Sequence, residues 1–122
     1  MASKAEAFKQ ELLADEPIQI AAVVKLAERA YRRPLTDREL TELRELYPAL
    51  REEGSSHEEA ARLLLARVLA SPAFLYRVEQ PGPGSDPTAV SDWELASRLS
   101  YFLWSSQPDE ELRALAAAGT LH

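Results

Sequence analysis

Imidazoles, guanidiniums and paired carboxylates are the groups in this chain that could do chemistry. His57 and His122 are its two histidines, and there is no cysteine. A structural zinc site needs about four N or S ligands, and neither histidine has a partner at ligand spacing. His57 falls in the first turn of a predicted helix, so both read as solvated side chains. Arg32 and Arg33 stand side by side ahead of Pro34. Two guanidiniums can clamp an anion through bidentate hydrogen bonds. The plainer reading is a pair of cations stabilised at a helix C-terminus. Arg98 is a third candidate for anion binding. Glu52-Glu53, Glu58-Glu59 and Glu110-Glu111 are adjacent in sequence. Adjacent residues do not share a helix face, so these pairs read as solvated charge and not as acid–base machinery. No Gly-rich phosphate loop, Ser–His–Asp set or haem-attachment Cys-x-x-Cys-His motif is present. No catalytic, cofactor-binding or metal-ligating residue is therefore expected in the chain.

The run Ser97-Arg98-Leu99-Ser100-Tyr101-Phe102-Leu103-Trp104-Ser105-Ser106 is the most distinctive stretch. It packs three aromatics and four serines into ten residues. One reading is a core helix whose small residues sit at a helix crossing. The other is an interface helix, with Trp93, Phe102 and Trp104 as anchors on a partner.

Helices must position all of these groups. Thr36-x-x-Glu39, Ser56-x-x-Glu59 and Ser91-x-x-Glu94 each fit a capping box, in which cap oxygen and Glu carboxylate satisfy early backbone N–H groups reciprocally. Their starts lie 20 and then 35 residues apart, which argues against a regular solenoid. Before the first box, residues 4–14 read as a short helix with Phe8, Leu12 and Leu13 on its apolar side, interrupted at Glu16-Pro17. A second helix runs from Pro17 to about Arg32, with Ile20, Val23, Val24, Ala27 and Tyr31 at helical spacing and Glu28 paired to Arg32. Pro34 ends it.

Thr36 opens a helix with Leu40, Leu43, Leu46, Tyr47 and Leu50 buried, in which Pro48 predicts a kink or an early end. Gly54 is a natural stop. Ser56 opens a central helix to about Ala70, burying Ala60, Leu64 and Val68, with Leu63 and Leu69 widening the stripe. Ser71-Pro72 restarts a short helix carrying Phe74, Leu75 and Val78. Residues 80–90 hold three prolines and two glycines in eleven positions and read as a linker. Ser91 opens the aromatic helix, where Glu94 and Arg98 are spaced for an ion pair. Asp109 to Ala118 is the last helix, stopped by Gly119. The expected organisation is an N-terminal extension (1–18), a first helical module (19–79), the linker (80–90) and a helix pair opening a second module (91–122). The expected fold is all-α, an irregular bundle of five to seven short helices.

The bulk properties agree with a soluble helical domain. The chain has 122 residues, 46% of them hydrophobic and 28% charged. Its net charge of −6 opposes nucleic-acid binding, which depends on counterion release by Lys and Arg. A helix-turn-helix built from residues 36–70 would have only Arg62 and Arg67 for a basic face. No apolar run approaches the roughly 20 residues of a membrane span, and Met1-Ala2-Ser3-Lys4-Ala5-Glu6 lacks the apolar centre of a signal peptide.

Two stretches carry a resemblance. Ala30 to Asp37 (Ala-Tyr-Arg-Arg-Pro-Leu-Thr-Asp) through Leu69 to Glu79 (Leu-Ala-Ser-Pro-Ala-Phe-Leu-Tyr-Arg-Val-Glu) resembles one small domain of unknown function. Asp92 to Ser106, followed by Pro108-Asp109-Glu110-Glu111-Leu112, resembles the opening of a second. The two are similar to domains found in tandem in large planctomycete-type proteins that also carry cytochrome c modules. The resemblance implies part of a multidomain, exported or periplasmic protein whose haem-bearing modules lie elsewhere, and it implies no activity and no catalytic residue. Three functions follow as expectations. The leading one is a non-catalytic helical scaffold or interaction module, with a protein partner or self-association. The second is an incomplete part of an enzyme, with Arg32, Arg33 or Arg98 holding an anionic substrate. The third is the helix-turn-helix binder. A helix pair alone cannot bury Trp93, Leu99, Phe102, Leu103, Trp104, Leu112 and Leu115, which predicts an intramolecular cap or a dimer.

Overall fold

The structure, a computed structural model, describes residues 2–77, 79 and 89–121. Six helices and no strand occur among these residues: α1 (Ala2–Ala30), α2 (Asp37–Glu52), α3 (His57–Leu69), α4 (Pro72–Leu75), α5 (Asp92–Trp104) and α6 (Glu110–Ala118). The protein is all-α.

The starts of α2, α3 and α5 are the three capping boxes. The backbone N–H groups of Thr36, Ser56 and Ser91 donate to Glu39, Glu59 and Glu94 at 2.8, 3.1 and 2.8 Å. In return each cap oxygen accepts from the backbone N–H of its glutamate. Asp109 caps α6, accepting from the Leu112 N–H at 2.9 Å. Two helices end on glycine in the left-handed region, Gly54 (φ 96°) and Gly119 (φ 65°). At each end the next two N–H groups reach back to the last orphan carbonyls: Gly54 to Arg51 and Ser55 to Leu50, then Gly119 to Ala116 and Thr120 to Leu115. These are paired Schellman bonds.

The first helix departs from expectation. No break occurs at Glu16-Pro17; α1 runs through Pro17 for 29 residues. A proline forfeits one ladder bond and crowds the preceding turn, costing about 3 kcal/mol. A long helix with anchored residues on both sides of it can carry that penalty. Pro48 likewise neither ends nor shortens α2, which reaches Glu52. At its other end α1 stops at Ala30, short of the expected Arg32, because Arg32 itself takes φ 59°.

The chain forms two compact units, cut differently from the sequence modules. The first joins α1 up to Ala27 with Leu35–Ala70. Val23 and Ala27 of α1, Leu43 and Tyr47 of α2, and Ala60, Leu64 and Val68 of α3 are its buried apolar residues, and α2 packs on α3. Leu63 and Leu69 do not widen the buried stripe; both are exposed. They stand on the flanks of the Ala60–Leu64–Val68 line, whose i, i+4, i+8 spacing makes a narrow face. The second unit joins Glu28–Pro34 with the chain from Ser71 onward. Its buried residues are Tyr31, Arg32, Ser71, Ala96, Ser100, Pro108 and Ala116, and α5 packs on α6. Most of the expected linker (80–88) and Val78 lie outside the described residues.

Candidate interaction surface

The aromatic helix α5 turns small residues inward and large ones outward. Ala96 and Ser100, four apart, are fully buried, and the Ser100 hydroxyl donates to the Ser97 carbonyl at 3.1 Å. Small residues on that face let α6 approach closely. Leu99, Phe102 and Leu103 recur at i, i+3 and i+4 and so share a face. All three are exposed, Phe102 at 85% and Leu103 at 64%. The ten residues from Leu99 to Pro108 carry no charge in a chain whose net charge is −6.

The structure separates the three expected anchors. At about 100° per residue, Trp93 and Trp104 lie on the stripe of Ala96 and Ser100, while Phe102 stands on the opposite side of the helix. Trp93 is half-buried beneath the Arg113 guanidinium, 5.7 Å from its ring centroid. The Trp104 indole N–H donates to the Gln107 carbonyl at 3.4 Å. Both indoles are engaged within their own unit, and Phe102, Leu99 and Leu103 make the outward face.

The three candidate anion-binding arginines engage different groups. Arg32 is buried, 7% exposed. Its guanidinium donates to the Ala30 carbonyl at 2.9 Å, the Ala73 carbonyl at 3.0 Å and the Tyr76 carbonyl at 3.1 Å. It is a carbonyl clamp that ties the end of α1 to α4, and the expected Glu28 pairing gives way to it. Arg33 donates to the Pro34 carbonyl at 2.9 Å and lies 5.8 Å from the Tyr31 ring. The hydrogen-bonded partner of Arg98 is not the expected Glu94, whose carboxylate serves the capping box. It makes a two-pronged pair with Glu79 instead, which holds the Glu79 carboxyl below its usual value and raises the guanidinium.

A polar cluster that sequence reasoning missed lies in the first unit. His57 is half-buried, not solvated. Its Nε2 meets Gln19 Oε1 at 2.6 Å and its Nδ1 meets the Tyr47 hydroxyl at 2.7 Å. Glu16 lies 3.7 Å from Nδ1 and accepts from Arg51 at 3.4 Å. Arg51 also donates to the Ser55 carbonyl at 2.8 Å. With Gln19 presenting an oxygen, Nε2–H donates to it, which leaves Nδ1 to accept from the Tyr47 O–H. Burial first, then the nearby Glu16 carboxylate, push the Tyr47 phenol up. A buried, reluctantly ionised phenol is a structural tie, not a nucleophile. The available signal was Tyr47 itself, since a tyrosine in a buried stripe needs a partner for its hydroxyl. Among the described residues no three His, Asp or Glu side chains are grouped to hold a metal ion, and no helix is long and apolar enough to cross a membrane.

Fold and surface together define an all-α protein of two compact helical units. Residues 21–79 match the family described as PSD5, a protein of unknown function (DUF1595). Residues 90–122 match part of the family described as PSD4, a protein of unknown function (DUF1592). The two matches, to domains of unknown function, stand in tandem, with the second covered only in part. No curated protein and no solved structure matches it.

Proposed function

We propose that this chain is a non-catalytic helical interaction module and that the outward face of α5 is its docking surface. The observation that carries the reading is the exposure of Phe102, Leu103 and Leu99 on one helical face. Contiguous apolar side chains in water are characteristic of surfaces that bind. The resemblance to domains in cytochrome c-bearing proteins sets the wider reading: a structural part of a larger assembly, with redox chemistry belonging to haem-bearing modules and not to these residues.

The occupant we assign in solution is a second copy of the chain. Two acidic chains repel, but the uncharged stretch from Leu99 to Pro108 lets two α5 helices approach without facing like charges. A two-fold arrangement places the same patch on both sides. Sedimentation equilibrium is the test. A mass of twice 13.6 kDa is expected at high micromolar concentration. Phe102→Asp with Leu103→Asp is expected to return the chain to a monomer of unchanged helical content. A wild type that stays monomeric into the millimolar range overturns the assignment.

A further inference from the structure

The family boundary and the boundary of the compact units do not coincide. The first family ends at residue 79 and the second begins at residue 90. Yet Glu28–Pro34 and the residues from Ser71 belong to one compact unit with α5 and α6. The contacts that join them are specific. α4 ends at its C-cap Tyr76, which takes extended φ −119° and ψ 146°. Two residues of the segment that follows, Arg77 and Glu79, both contact α5. On α5 the residues that receive them, Tyr101 and Arg98, are three apart and share a helix face. The Arg77 guanidinium lies 4.3 Å from the Tyr101 ring centroid, and Glu79 takes the two-pronged bond from Arg98. Farther on, Arg113 of α6 reaches the Glu28 carbonyl at 3.5 Å. The end of the segment folds back too, the Leu121 N–H donating to Asp92 at 2.9 Å.

We infer that residues 89–121 form a docking module for Arg77, Glu79 and the turn Glu28–Pro34, so that the two tandem families share one structural unit that does not depend on chain continuity across residues 80–88. The segment is read by a matched pair of contacts, Arg77 on the Tyr101 ring and the Glu79 carboxylate on the Arg98 guanidinium. This inference is independent of the docking face on α5, because Phe102 and Leu103 take no part in it.

A protease site inserted between Gly82 and Gly84 of the full chain tests it. After cleavage the two pieces are expected to elute together at low micromolar concentration, with the emission of Trp93 and Trp104 unchanged. Arg98→Glu is expected to weaken the association at least tenfold. The swap of Glu79→Arg with Arg98→Glu is expected to restore most of it. A general loss of folding would not be rescued by the swap, so rescue separates a specific contact from damage to α5. Two results overturn the inference: separation of the cleaved wild-type pieces, or co-elution indifferent to Arg98→Glu and to Tyr101→Ala.

Discussion

Arg32 shows how far a residue's role can depart from its type. Its guanidinium looked available for an anion, and the structure commits it to three main-chain carbonyls. The reason lies in its backbone. At φ 59° the residue leaves α1 in the left-handed region and turns its side chain back over the helix end, where orphan carbonyls are waiting. A non-glycine residue in that region is strained by roughly 1–2 kcal/mol, which the carbonyl bonds must exceed. Hydrogen bonds from a charged donor contribute about 1.5–3 kcal/mol each, so Arg32→Ala is expected to destabilise the second unit by several kcal/mol in urea unfolding. Arg32→Gly removes the same bonds but also the strain, and is expected to be milder than Arg32→Ala by about 1 kcal/mol. Equal midpoints for the two variants would show that the left-handed turn, and so this account of the clamp, is mistaken.

At the scale of elements, what was legible followed local rules. The boxes at Thr36, Ser56 and Ser91 needed only three residues each, and the structure has all three. Pro17 does not break α1 and Pro48 does not end α2, because a proline's local penalty can be overridden by tertiary anchoring, which leaves no local trace. The anchoring of α1 past Pro17 includes the Gln19 and Glu16 bonds to His57 and Arg51, thirty-five or more residues away. Tyr47 closes that network, joining α2 to the first residue of α3. Its removal makes a clean test. Tyr47→Phe leaves His57 Nδ1 without its donor and is expected to cost about 1–2 kcal/mol. The fold holds the Tyr47 proton more tightly than an unfolded phenol near 10 does. That contribution is therefore whole below pH 10 and is lost as pH rises through the folded value. Alkaline titration of phenolate absorbance is expected to show a late component in the wild type that Tyr47→Phe lacks. A variant curve with the same shape as the wild type would sink the assignment.

At the scale of the whole molecule, sequence composition places the module boundary at a Pro/Gly stretch, between the two family matches, and the compact units divide separately at residues 27/28, 34/35 and 70/71. Composition marks where the backbone cannot be regular; it does not say which flanking segments share a core. The two units nevertheless allow one property to be read separately in each. Glu42 and Glu59 in the first unit and Glu79 in the second are all held below the usual carboxylate value, by Arg38, by the Ser56 cap and by Arg98 respectively. A carboxyl depressed in the folded state stabilises fully above its unfolded value, near 4.3, and loses that contribution as pH falls through the folded value. Acid should therefore weaken both units. Both tryptophans, Trp93 and Trp104, lie in the second unit, so their emission follows that unit alone, while the His57 ring resonances follow the first. Glu79→Gln is expected to lower the urea midpoint read by tryptophan at pH 7 and to flatten its decline between pH 5 and pH 3. It should leave the His57-detected transition in place. The pair is exposed, so the effect should also shrink in high salt. If Glu79→Gln leaves the acid limb of the tryptophan profile as steep as before, the Glu79–Arg98 bond contributes nothing to holding Arg77 and Glu79 on α5. The second unit would then owe its cohesion to its other contacts, chief among them the Arg32 carbonyl clamp and the buried packing of Ala96, Ser100 and Ala116.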